Sequence, residues 1–212
     1  MDTATLVSFL KSQSVNARFI DRLKITYRPY ICPFDELIQL VNKDDTVFDI
    51  GCGSGQFAML LAEFSNPRKI QGIEISHELI KNARELTSKY PEIDLEFNYY
   101  DGNHLPESLN QADKVFMIDV LHHVPASAQV SFIEQLYTRM KPGGRFILKD
   151  IDAANSLAIF NKFHDLIFSR EIGNELSFGS AQQLLRNAGF HVDSASKNTR
   201  YVYPHYTLIA CK

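Results

Sequence analysis

Thr46-Val47-Phe48-Asp49-Ile50-Gly51-Cys52-Gly53-Ser54-Gly55-Gln56 is a short apolar strand that runs into three alternating glycines and then into a helix. Glycine reaches positive φ without the steric cost of a Cβ, and its bare backbone lets a ligand come close. A strand–helix turn can need one such residue. Three in alternation point to a loop shaped around a ligand. The helix from Gln56 to Phe64 shows Phe57, Leu60, Leu61 and Phe64 at the spacing of one buried face.

Downstream the alternation of strand and helix continues. Ile70 to Ile75 reads as the second strand, and Ser76 as the cap of a helix with Leu79, Ile80, Ala83 and Leu86 inward, closed off by Pro91. Leu95, Phe97 and Tyr99 alternate as a third strand. Val115 to Val120 is a fourth, followed by a helix carrying Val130, Ile133, Leu136, Tyr137 and Met140. Lys141-Pro142-Gly143-Gly144 turns into a fifth strand, Arg145 to Leu148; Ser180 caps a helix ending at Gly189; Phe190 to Ser194 and Tyr201 to Cys211 are the last strands. This order predicts an α/β fold, a doubly wound and mostly parallel sheet covered on both faces, with right-handed crossovers. Ligands of such sheets bind beyond the carboxyl ends of the strands, near the reversal in strand order. The loops after Ile50, Ile75, Tyr100, Asp119 and Leu148 are therefore expected to rim the site.

Upstream of Thr46 the pattern is helical. Leu6, Phe9 and Leu10 share one face; Val15, Phe19 and Leu23 share another behind Ser14; Pro29 and Pro33 are expected to interrupt any helix, and Asp35 to Val41 forms one more short helix. The resulting organisation is an N-terminal helical cap over residues 1–42 and a single ligand-binding domain over residues 43–212.

Composition narrows the function. The chain has 212 residues, is 45% hydrophobic and 22% charged, and carries a formal charge of −3. That suits a globular domain and lacks the basic excess of a nucleic-acid binder, so no nucleic-acid partner is expected. No run approaches the roughly 18 apolar residues of a membrane span, and the N-terminus does not read as a secretory signal. Cys32, Cys52 and Cys211 are too widely spaced for a disulfide framework or a zinc site, which favours a reducing, cytoplasmic setting with no metal.

Two ligand classes compete for the glycine loop. A dinucleotide site wants G-x-G-x-x-G with pyrophosphate on the helix N-terminus. Gly51 and Gly53 fit that spacing, but Gln56 holds the third place, and Asp49 would repel a pyrophosphate while favouring a ligand with ammonium and sulfonium groups. Asp49-Ile50-Gly51-Cys52-Gly53-Ser54-Gly55 resembles the D-x-G-x-G-x-G first motif of the class I S-adenosylmethionine-dependent methyltransferases. The likeness runs from about Thr46 to the C-terminus and is nearest to small-molecule enzymes of the ubiquinone/menaquinone-biosynthesis type. It implies a Rossmann-like, seven-stranded sheet with an antiparallel C-terminal strand, and S-adenosyl-L-methionine as cofactor. By the resemblance, Asp49, Gly51, Gly53 and Gly55 cradle the cofactor; Glu74, with Ile75 beside it, accepts the ribose hydroxyls; Asp101 and Gly102 meet the adenine; Asp119 orients the cofactor's amino group or the acceptor.

The chemistry is expected in Met117-Ile118-Asp119-Val120-Leu121-His122-His123-Val124-Pro125, the stretch the resemblance puts beside the reacting methyl group. Methyl transfer to a neutral acceptor needs a proton removed, and histidine suits that near neutral pH, so His122 and His123 are the candidate general bases. The alternative is that one histidine packs under the loop and the other caps the next helix. Asp119-Val120-Leu121-His122 departs from the [N/D]-P-P-[Y/F] motif of base-modifying amino-methyltransferases, which favours a small acceptor, apolar or aromatic. Leu157, Phe160, Phe163 and Ile167, with Phe168, form either a lid over it or plain packing; if exposed they would suit a lipid-like acceptor. Arg28, between Tyr27 and Tyr30, is a candidate ligand for a carboxylate. The rival readings are a nicotinamide-dependent oxidoreductase and a non-catalytic, cofactor-binding regulator.

Overall fold

The computed structural model describes residues 2–13, 26–157 and 173–212. Among them, helices α1 (Thr3–Gln13) and α2 (Phe34–Ile38) precede β1 (Thr46–Ile50), α3 (Gln56–Phe64), β2 (Lys69–Glu74), α4 (His77–Thr87), β3 (Asp94–Tyr99), β4 (Lys114–Ile118), α5 (Gln129–Arg139), β5 (Arg145–Ile151), α6 (Phe178–Asn187), β6 (His191–Arg200) and β7 (Tyr203–Cys211). The strands form one seven-stranded sheet in the order β3-β2-β1-β4-β5-β7-β6. All neighbours pair in parallel except β7, which runs antiparallel to both β5 and β6. The order reverses between β1 and β4, so the expected switch point lies at the glycine loop.

Strand alternation sends successive side chains to opposite faces and gives each face its own core. One face joins Val47, Phe57, Leu60, Phe97, Phe116 and Ile147 to Leu6 and Leu10 of α1 and Phe34 and Leu37 of α2. The other joins Phe48, Ile50, Met117 and Leu148 to Ile133 and Leu136 of α5 and Leu185 of α6. Strand β1 is buried along its whole length, as befits the middle of a covered parallel sheet.

Several local expectations are corrected. Ser177, not Ser180, caps α6: its side chain accepts from the Ser180 N–H at 3.1 Å. Residues 26–31 are helical through Pro29, which does not interrupt them as expected, and the Cys32 N–H donates to the Arg28 carbonyl at 2.8 Å. Val130 has the right spacing for the buried face of α5 but lies in its first turn and is 54% exposed. Strand β5 runs on to Ile151, and β6 reaches Arg200 because hairpin pairing with β7 sustains it despite a mostly polar, exposed sequence. The expected apolar faces at Val15, Phe19 and Leu23 and at Phe160, Phe163, Ile167 and Phe168 lie outside the described residues.

Candidate active site

The crevice opens at the carboxyl ends of β1 and β4. Gly51, Gly53 and Gly55 all hold left-handed φ, of 71°, 54° and 77°. A Cβ on Gly51 would lie 2.5 Å from Val120 Cγ2, so this glycine lets the loop after β1 touch the loop after β4. A Cβ on Gly53 would meet nothing within 4 Å; this glycine borders open space.

Glu74 is tied to both sides of the β2 end. One carboxylate oxygen accepts from the Gly53 N–H and the other from the Ser76 N–H, each at 3.1 Å. Ser76 in turn caps α4 by accepting from the Leu79 N–H at 3.3 Å. Ile75, at this junction, is 66% exposed. Past β3, the Asp101 carboxylate accepts from the N–H groups of Asn103 at 2.8 Å and His104 at 3.2 Å, folding the chain over Gly102. Those bonds hold the Asp101 carboxyl below its ordinary pKa. A cleft of about 300 Å³ lies here, lined by Ile73, Asn98, Tyr99, Tyr100, Asp101, His104 and Pro106. His77 stacks on Tyr99 with ring centroids 4.2 Å apart and stiffens the rim.

Deeper in, Asp49 is 3% exposed, and burial pushes its pKa up to about 7; Arg28 opposes the rise and Glu74 adds to it. Asp119 follows β4 with φ of +56°, a conformation costly for a non-glycine residue. It is held there from β5: its N–H donates to the Lys149 carbonyl at 2.9 Å, and its carboxylate pairs with the Lys149 ammonium, a side chain 1% exposed. Arg28 stands 3.8 Å from the other carboxylate oxygen, its guanidinium over the Phe34 ring. Burial opposes ionisation of Asp119, but Lys149 and Arg28 override it and keep the carboxyl well below the usual range. His205, packed nearby, is pushed down to about 3 by burial and then by Lys149, so it is neutral at physiological pH.

The two histidines occupy different surroundings. His122 is 2% exposed, and its Nδ1 lies 2.6 Å from a carboxylate oxygen of Asp150, itself 1% exposed. His123 is exposed, with its ring tilted against that of His122 at 4.1 Å. Gln129 stitches this short turn to the next segment, donating to the carbonyls of Leu121, Val124 and Asn174.

The structure thus brings Asp49, Gly51, Gly53, Glu74 and Asp119 around one crevice, puts Ile75, Asp101 and Gly102 on its outer rim, and sets His122 behind the β4 loop against β5. Sequence reading missed Lys149 and Asp150, because it ended β5 at Leu148. A lysine and an aspartate between Leu148 and Ile151 inside an apolar strand were the available signal.

The chain matches a family model described as a methyltransferase domain over residues 41–191. It is 32% identical over 171 residues to the 27-O-demethylrifamycin SV methyltransferase of Amycolatopsis mediterranei, covering 78% of this chain and 61% of that protein. It is 28% identical over 116 residues to the demethylmenaquinone methyltransferase of Listeria monocytogenes, covering 54% of this chain and 48% of that one. The chain spans about half the length of the curated relatives it matches. Among solved structures, a SAM-dependent methyltransferase from Aquifex aeolicus shares the fold with a TM-score of 0.70 at 17% identity, covering 99% of this chain and 98% of that one. With the reversal of strand order at the glycine loop, the acids around it and these matches in hand, the chain belongs to the methyltransferase domain family.

Proposed function

We propose that this protein binds S-adenosylmethionine across the crevice and transfers the methyl group to a small acceptor, apolar or aromatic. The observation that carries the reading is the donor set: buried Asp49, anchored Glu74 and ionised Asp119 around a glycine loop whose Gly53 borders open space. Such a set suits ribose hydroxyls and cationic groups and repels a pyrophosphate, which disfavours the nicotinamide alternative.

Bound there, the cofactor supplies an electrophilic methyl group on a sulfonium. The chain's own residues do the rest. Gly53 leaves room for a ligand to lie against the loop, while Gly51 and Gly55 let the loop close on Val120 and on Ala83 of α4. Glu74, fixed by two backbone donors, has lone pairs left to accept two hydroxyls; Ile75 offers apolar surface; Asp101 and Gly102 stand at the far end of the cleft to meet a purine amino group. Asp49 and Asp119 face the cationic end, with Arg28 placed for a carboxylate. His122 and His123 are the groups able to take a proton from the acceptor. Residues 1–42 act as a helical cap on a domain over residues 43–212, supported by a family match that starts at 41. A reducing, cytoplasmic setting fits three free cysteines, two of them buried. No helix among the described residues is long and apolar enough to cross a membrane.

The small-molecule acceptor is supported by relatives named for rifamycin and menaquinone precursors. Titration calorimetry with S-adenosylmethionine, S-adenosylhomocysteine and NAD tests the binding, with micromolar dissociation constants of about −7 to −8 kcal/mol expected for the first two and no heat for NAD. Tritiated cofactor offered with phenols, quinone precursors, amines, carboxylic acids and lipids then tests transfer. Binding without turnover of any acceptor would leave the regulator reading standing.

A further inference from the structure

We propose that Lys149, sealed inside β5, is a positioning residue for cofactor binding: it holds the Asp119 side chain as a carboxylate with one oxygen left for the ammonium end of S-adenosylmethionine. The inference rests on the cofactor reading above and deepens it.

Lys149 sits where an apolar residue is expected. Strand β5 is buried from Phe146 to Ile151, and Lys149 is 1% exposed. Its Cα is paired with Ile118 of β4 on one side and Thr207 of β7 on the other, so the side chain stands in the middle of the sheet and not at an edge. Among the described residues, Asp119 is the one hydrogen-bond acceptor of its ammonium group. Taking an ammonium out of water is costly, and a buried ion pair is often no more stable than the apolar residues that could replace it. Stability alone does not call for a lysine here. What the lysine changes is Asp119.

The grip on Asp119 is double. Its N–H donates to the Lys149 carbonyl at 2.9 Å, and its Oδ1 accepts from the Lys149 ammonium. One residue of β5 thus holds both the backbone and the side chain of a residue whose φ of +56° is costly for anything but glycine. The second oxygen is left differently. Arg28 stands 3.8 Å from Oδ2, too far for a hydrogen bond, and the Asp119 side chain is 23% exposed where Lys149 is sealed. Lys149 therefore lies beneath the carboxylate and Oδ2 keeps its acceptor capacity. The next residue, Val120, is the one that closes on Gly51, which sets this carboxylate beside the glycine loop.

The charged and titratable groups around Asp119 are Lys149 from β5, Arg28 and Cys32 from the N-terminal segment, and His205 and Tyr206 from β7. Burial pushes the Cys32 thiol up to about 12 and raises the Tyr206 hydroxyl, so both stay neutral, as does His205. The charge on Asp119 answers to Lys149 and Arg28, and of these two only Lys149 hydrogen-bonds it. A neutral Asp119 would offer an ammonium group no charge-assisted bond.

The test uses the full chain as wild type, Lys149→Met, Asp119→Asn and the double variant. Calorimetry compares S-adenosylhomocysteine with its deamino analogue, in which hydrogen replaces the α-amino group. The wild type should bind S-adenosylhomocysteine about tenfold or more tighter than the analogue. Lys149→Met should lose most of that preference while binding the analogue within about threefold of wild type. In 13C spectra of aspartate-labelled protein, with Asp119→Asn assigning the resonance, the Asp119 carboxyl should titrate at higher pH in Lys149→Met than in the wild type. Stability should follow a different order: Asp119→Asn strands a buried ammonium and lowers the urea midpoint most, and adding Lys149→Met restores it. A lysine that only packs would lower the urea midpoint when replaced and leave the preference intact. That result overturns the proposal, as does an Asp119 titration unmoved by Lys149→Met. If Lys149→Met fails to fold, Lys149→Gln, which keeps a donor without the charge, must show the same two changes; if it does not fold either, the lysine is structural and the proposal fails. A wild type that binds neither S-adenosylmethionine nor S-adenosylhomocysteine sinks the cofactor reading instead, and the Asp119 titration still judges the hold of Lys149 on it.

Discussion

At the scale of single residues, the glycine loop and Asp49 give the sharpest expectations. Gly53 combines a left-handed φ with open space beyond it, so Gly53→Val should fold with a modest loss of stability, of order 1–2 kcal/mol for the strained backbone, yet lose cofactor binding. Calorimetry on a variant shown by circular dichroism to be folded checks this; normal binding would remove the loop from the site. Asp49 carries a pH signature. Its pKa is raised from 3.8 to about 7, so the folded protein holds a proton that the unfolded chain releases. Stability from that proton is full below about pH 4 and is lost as pH rises through about 7. Asp49→Asn should therefore flatten the wild-type decline in urea midpoint between those limits. Affinity for the cationic cofactor should move the other way, strengthening as pH rises through 7 and the carboxylate ionises, and the same variant should abolish that slope. Glu74→Ala should weaken cofactor binding about tenfold or more by removing charge-assisted hydrogen bonds.

At the scale of elements, α4 and its cap separate folding from binding. Ser76 accepts from the Leu79 N–H, and the loss of an N-cap hydroxyl costs about 1 kcal/mol. The Ser76 contact to Glu74 runs through the backbone N–H, which an alanine keeps. Ser76→Ala should thus lower the thermal midpoint while leaving the dissociation constant for S-adenosylhomocysteine nearly unchanged, the opposite pattern to Glu74→Ala. A matched fall in affinity would mean that α4 geometry, and not the carboxylate alone, sets the binding site.

At the scale of the whole molecule, the end of β6 meets the N-terminal helices. Arg200, at the end of β6, reaches Asp35 and Glu36 at 2.7 Å each, the Thr3 hydroxyl at 3.3 Å and the Pro29 carbonyl at 3.4 Å. Beside it Tyr201 meets Tyr30 edge to face, and Arg28, two residues before Tyr30, stands 3.8 Å from Asp119. Arg200→Ala leaves two carboxylates short of a partner, a change of order 1–3 kcal/mol, and should expose the N-terminal helices to protease. Ligand should counter this by mass action: S-adenosylhomocysteine at a hundred times its dissociation constant adds about 2.7 kcal/mol. Protection of the wild type by NAD instead of S-adenosylhomocysteine would contradict the proposed ligand.

The sheet and the glycine loop were legible because their signals are local. Strand periodicity, helix faces and three alternating glycines are written within a few residues of one another, and the topology rules for parallel sheets then put the loops after β1, β2 and β4 at one end. Asp49, Gly51, Gly53, Glu74 and Asp119 could be placed at that end of the sheet for the same reason, since each closes or follows a strand; their roles toward a cofactor came from the family resemblance. What only the tertiary structure decided was which partners those residues meet. Lys149 and Asp150 are neighbours in sequence, but strand alternation turns one toward Asp119 and the other toward His122, and neither pairing follows from spacing along the chain. Sequence left His122 and His123 equivalent; packing buried one on a carboxylate and exposed the other. Arg28 could be read as a surface residue until Arg200, far away in sequence, was found to tie down the helical segments around it. Short-range chemistry set the fold's grammar, and contacts between residues far apart in sequence set the electrostatics of the site, because charge and burial depend on distance in space.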